Sequence, residues 1–160
     1  MLQKQKITPC LWFNTNAEDA VNFYITVFKN SKINKVSYYG DSESKSSPLT
    51  NGKVLVMEFE IDGQQFTALN GGMDIPYTSA ISFVVNCKDQ EEIDYYWEQL
   101  SKEGAKEQCG WLKDKFGLSW QIVPRVLGDL MTKSRNKEKV MQELMKMKKL
   151  DIAILESAGE

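Results

Sequence analysis

The chain has 160 residues, enough for one ordinary domain with a sizeable core or for two fused half-domains. Twenty basic residues against twenty-two acidic ones leave a formal charge of -2, so no global field draws nucleic acid or an anionic membrane, and neither is an expected partner. Histidine is absent, which excludes Ser-His-Asp and Cys-His triads and histidine-ligated zinc, iron or nickel.

No apolar run approaches the roughly 20 residues of a membrane span, and Met1 to Lys6 lacks the apolar segment of a signal peptide. A cytoplasmic setting is expected. Cys10, Cys87 and Cys109 are odd in number and far apart, which suits reduced thiols. A glycine-rich strand-to-helix turn for a nucleotide cofactor is also missing: Gly71-Gly72 is the only glycine pair, and Met73-Asp74-Ile75-Pro76 after it opens no helix.

In chain order, Ile7 to Phe13 is an apolar run of strand length, and Pro9 within it favours an edge position. Asn16 is placed to cap a helix with Glu18 and Asp19 in its first turn. Ala17, Val21, Tyr24 and Phe28 then recur at helical spacing. Ile33 to Tyr39 reads as a second strand. Gly40 to Gly52 is poor in apolar residues and reads as a mobile loop, either a lid or a plain surface excursion. Val54 to Ile61 and Gln64 to Asn70 are strands joined by an Asp62-Gly63 turn.

Ala80 to Val85 begins a second series. Asp89 and Glu92 form a capping box before the apolar face of Ile93, Tyr96, Trp97 and Leu100, and Gly104 closes the helix. Gln108 to Pro124 reads as a β-hairpin with Lys113-Asp114-Lys115 at its polar centre and Gly117 just beyond. A helical turn over Pro124 to Met131, a helix over Lys137 to Lys149 and a last turn over Asp151 to Ala158 complete the chain. The lysines of that region, interleaved with Glu138 and Glu143, read as a solvated helix face, while Met141, Met145 and Met147 cover the sheet or a second subunit.

The halves repeat. Asn14 followed by Ala17-Glu18-Asp19-Ala20-Val21-Asn22-Phe23-Tyr24 matches Asn86 followed by Gln90-Glu91-Glu92-Ile93-Asp94-Tyr95-Tyr96-Trp97. Each half is a strand, a helix and then strands, and two such units are expected to enclose a cleft. The expected architecture is α+β, one domain over 1–160 built of a module at about 6–72, a second at about 79–124 and C-terminal helices at about 125–158.

Ile7-Thr8-Pro9-Cys10-Leu11-Trp12-Phe13, Leu69-Asn70-Gly71-Gly72, Ala80 to Cys87, and Cys109 to Asp114 through Trp120 to Pro124 resemble the PhnB-like branch of the vicinal-oxygen-chelate superfamily. The resemblance implies paired βαβββ modules forming curved mixed sheets around a cleft, with a homodimer as the usual assembly. Branch members often carry a demethylubiquinone-methyltransferase-like label. Metal-dependent relatives place ligands at positions that fall here near Thr8, Phe66 and Ala80 and at Gln121, of which only Gln121 can ligate, and weakly. No metal or other cofactor is therefore expected.

The candidate binding residues are Trp12, Phe66, Asn70, Trp111, Trp120 and Gln121, with an aromatic or apolar small molecule held beneath Trp111 and Trp120. Sequestration is the expected activity. Plain core packing is the structural alternative for the tryptophans. A second reading is an enzyme that uses Cys109, Lys113 or Asp114 for proton transfer or isomerisation. A third is a dimeric scaffold whose cleft is filled.

Overall fold

A computed structural model describes residues 5–40, 49 and 52–160. Most of the Gly40 to Gly52 segment lies outside the described residues. The chain divides into two compact units between Pro76 and Tyr77.

The first unit holds β1 (Cys10–Phe13), α1 (Ala17–Val27), β2 (Ser31–Tyr38), β3 (Val54–Ile61) and β4 (Gln64–Asn70). Its sheet runs β1-β4-β3-β2, with β1 parallel to β4 and the remaining pairs antiparallel. Pro9 thus leads into an edge strand, where its missing N–H breaks no ladder. Asp62 and Gly63, at φ of 45° and 82°, both take the left-handed backbone of a two-residue hairpin turn. That turn fixes the register, setting Ile61 opposite Gln64 and Glu58 opposite Thr67. Helix α1 buries Ala17, Ala20, Val21, Tyr24 and Val27. Tyr24 stacks on Phe59 at 6.5 Å between centroids, and Phe59 on Phe66 at 5.4 Å.

Asn16 precedes α1 but makes no side-chain cap. Asn70, at the end of β4, does that work: its Oδ1 accepts the Ala17 N–H at 2.9 Å while its Nδ2 donates to the Val54 carbonyl at 3.1 Å. The cap comes from a strand 53 residues away, which no local spacing reveals.

The second unit holds β5 (Ser82–Cys87), α2 (Gln90–Ser101), β6 (Ala105–Lys106), β7 (Trp111–Lys113) and β8 (Ser119–Pro124). Its sheet runs β5-β8-β7-β6 with β5 parallel to β8, so the two units share one strand order and one sense of pairing. The fold is α+β, with two mixed four-stranded sheets. Asp89 caps α2 through the Glu92 N–H at 2.9 Å, and the Glu92 carboxylate reaches back to the Lys88 N–H at 2.8 Å. The two-residue strand β6 is too short to leave a periodic signature.

Beyond β8 come α3 (Leu127–Lys133), α4 (Lys137–Lys146) and α5 (Ile152–Gly159). The helix expected to reach Lys149 stops at Lys146, because Met147 and Lys148 turn their carbonyls to the Cys109 and Gly110 N–H groups, both at 2.8 Å. Gln90 grips the same strap, donating to the Leu150 carbonyl at 3.0 Å and accepting from the Ile152 N–H at 2.9 Å. Leu150, Val140, Leu155 and Ala158 form a buried cluster joined by Val123, Leu127, Leu130 and Met147. The C-terminal segment therefore packs on its own unit. No helix among the described residues is long and apolar enough to cross a membrane.

Candidate functional site

Side chains of a strand alternate between the faces of its sheet. In the first unit Leu11, Phe13, Phe59, Phe66 and Ala68 are buried on the α1 side. The register then lays rows across the other face: Cys10, Thr67, Glu58 and Lys35 in one, and Trp12, Leu69, Val56 and Ser37 in the next. Between Ile33 and Lys35 the pairing slips, leaving Asn34 as an extra residue in β2. Such a bulge re-aims a side chain. Asn34, Thr8, Glu58, Gln65 and Thr67 line a cavity of about 220 Å³, to which Phe59 and Phe66 also contribute.

The cavity wall is mixed, with Phe59 and Phe66 beside the polar side chains, and it holds one carboxylate. Glu58 is half-buried and forms no hydrogen bond or ion pair among the described residues. Glu60, by contrast, is paired with Lys32 at 3.9 Å. Gln65 is fixed by the Gln5 N–H, which donates to its Oε1 at 3.4 Å. Cys10 stands beside Thr67, and partial burial pushes its thiol above the ordinary value, so it is protonated near neutral pH. Trp12 closes this face toward the end of β4: its Nε1 donates to the Met73 carbonyl at 2.9 Å, and its ring covers Gly71, where a Cβ would fall 1.9 Å from the indole.

In the second unit Trp111 pairs with Gln121 on the face away from α2, and Gln121 Nε2 donates to Ser82 Oγ at 2.9 Å. Lys113 pairs with Ser119 on that same face. Trp120, one residue along, points the other way. It is 3% exposed, lies against Phe83 at 5.5 Å and donates its Nε1 to Asp114 Oδ2 at 2.9 Å. The expected pair Trp111 and Trp120 is thus split between the two faces of one sheet. Trp12 and Phe13 are split in the same way.

Asp114 is equally committed. Its Oδ1 accepts the N–H groups of Phe116 at 2.9 Å and Leu118 at 3.0 Å, so the carboxylate organises the hairpin turn from inside, at 2% exposure. It is not the solvated turn residue that its polar neighbours suggest. Cys109 sits at φ of 59° with its N–H given to the C-terminal strap, and burial raises the Cys87 thiol to about 12. Asn70, expected at a ligand, caps α1 instead, while Phe66 stacks on Phe59 and also contributes to the cavity wall. The positions near Thr8 and Phe66 do reach the cavity, while Asn34, Glu58, Gln65 and Thr67 were not singled out. Alternation in Val54 to Ile61, with the register set by Asp62-Gly63, was the signal that places Glu58 beside Thr67.

Both sheets have the strand order of a βαβββ module, which defines the class as a paired-module α+β protein. The sequence model of the 3-demethylubiquinone-9 3-methyltransferase family matches residues 5–123, and the chain belongs to that family, the PhnB-like branch of the vicinal-oxygen-chelate superfamily. The PhnB protein of Bacillus cereus is 34% identical, aligned over 75% of this chain and 99% of its own, with a TM-score of 0.66. Protein PA1353 from Pseudomonas aeruginosa shares the fold at 18% identity, 76% and 98% coverage and a TM-score of 0.60. A glyoxalase/bleomycin resistance protein from Albidiferax ferrireducens aligns at 13% identity, 76% and 99% coverage and a TM-score of 0.48. No curated protein matches. The family match ends at Val123, so α3, α4 and α5 lie beyond it.

Metal sites of the superfamily need several charged or imidazole ligands. Among the described residues no three His, Cys, Asp or Glu side chains converge. One carboxylate with hydroxyls and amides does not fit such an ion. Nor do the strand-to-helix turns fit a nucleotide cofactor: Asn14-Thr15-Asn16 and Lys88-Asp89 contain no glycine.

Proposed function

We propose that the chain is a small-molecule-binding protein whose ligand sits in the cavity bounded by Thr8, Asn34, Glu58, Gln65 and Thr67, and whose activity is sequestration without a metal. The observation that carries this reading is the cavity itself: about 220 Å³, lined by five polar side chains together with Phe59 and Phe66. Membership of the PhnB-like family supports a pocket-bearing scaffold. A homodimer in the cytoplasm belongs to the same reading. The methyl transfer in the family's name is not carried over, since neither strand-to-helix turn suits a nucleotide cofactor.

Native mass spectrometry of the chain taken directly from cells tests the proposal. The wild type is expected to retain a small organic adduct that Thr67→Trp, which fills the cavity, abolishes. An adduct held equally by both proteins would overturn the assignment of the site.

A further inference from the structure

We infer that the cavity of the first unit selects compact ligands carrying an ammonium or guanidinium group and rejects anionic ones. The inference rests on the reading of that cavity as the ligand site and adds the chemistry of its occupant. Four of its polar walls, Thr8, Asn34, Gln65 and Thr67, are neutral, and the fifth, Glu58, is a carboxylate. None of the lining residues is a cation. An ionised acceptor without a partner attracts a charged donor more strongly than a neutral one, because such hydrogen bonds are shorter and about twice as strong.

The neighbouring charges leave that preference intact. Lys32 is held by Glu60 on the adjoining row. Lys35 stands opposite Glu58 in the register, yet it is exposed, forms no ion pair with Glu58 and does not line the cavity. Among the described residues nearby, Lys6 is exposed and does not line the cavity, and the Cys10 thiol is pushed above its ordinary value. An anion entering the cavity would meet Glu58 with no cation on the wall to offset it. An ammonium would find one carboxylate and the side-chain oxygens of Asn34, Gln65 and the two threonines, all of them acceptors. The bulge at Asn34 adds one of those acceptors, since in an unbroken ladder that residue would not be an extra one.

The test uses the full 15N-labelled chain and three probes of similar size: putrescine, the neutral 1,4-butanediol and propylphosphonate. Putrescine is expected to move the backbone amides of Asn34, Glu58, Gln65 and Thr67 and to bind about tenfold more tightly than either other probe. Glu58→Gln is expected to remove that margin while leaving amides outside the cavity in place. The wild-type margin should also shrink as salt rises from 20 to 500 mM, a readout that needs no variant. Equal binding of all three probes at these amides, or a margin indifferent to Glu58→Gln and to salt, would overturn the ligand class and leave the site standing. Binding that moves only amides elsewhere, or none at all, would overturn the site together with the class.

Discussion

A single carboxylate can be a reagent or a strut, and its acceptors and donors decide which. Asp114 receives two backbone N–H groups and the Trp120 indole, so it ties a turn to the core. Asp114→Asn keeps the shape but sets an amide N–H against the indole N–H. The expected cost is about 2–4 kcal/mol in urea unfolding, with the m-value unchanged. Asn70→Ala strands the Ala17 N–H and the Val54 carbonyl and is expected to cost about 3 kcal/mol by the same measurement. Glu58→Gln, which breaks no hydrogen bond among the described residues, should leave the unfolding midpoint within about 0.5 kcal/mol of wild type. Residue type announced polarity at all three positions. It did not announce which would be spent on the fold, because that depends on partners 2 to 53 residues away.

At the scale of elements, most strands were legible because alternation and the turn residues agree. Val54 to Ile61 and Gln64 to Asn70 appear with the bounds that the Asp62-Gly63 turn implies. The hairpin around Asp114 also forms, as β7 and β8. What alternation did not announce was which face the helix would cover, and so Trp120 and Asn70 read as pocket residues although they face helices. The end of α4 was hidden for another reason: Met147 to Lys149 has good helix formers, and tertiary pairing with Cys109 and Gly110 overrides them. That strap is also tied by Asp94, whose carboxyl is held below the ordinary value by its hydrogen bonds to Lys149 and Gln90. A depressed folded-state pKa means the tie contributes fully above the unfolded carboxylate value of about 3.9 and is lost as pH falls through the lower folded-state value. Side chains at 40% and 48% exposure keep the contribution small. The Cys109 and Gly110 amide resonances should therefore shift below about pH 4 in wild type and not in Asp94→Asn. Gly71→Ala is expected to push the Trp12 indole off its seat, breaking its bond to Met73, which a fluorotryptophan resonance would report.

Across the whole chain, two units share one strand order and differ on the faces their helices leave open. The first presents Glu58 among hydroxyls and amides, the second Trp111, Gln121, Ser82 and Lys113. The shared element order was visible in the matched helix starts, and family membership follows from residues 5–123. The C-terminal helices lie beyond that match and pack on the second unit through Leu150 and its cluster. The site was less legible than the fold because a sheet face is assembled from residues on four strands, with Glu58 and Thr67 adjacent only through the register.

The account stands on the cavity of the first unit as the place where a ligand binds. Fragment soaking of crystals of the full chain addresses it directly. Density for bound fragments is expected among Thr8, Asn34, Glu58, Gln65 and Thr67. Fragments gathered instead on the Trp111 and Gln121 face, with that cavity holding only water, would contradict it.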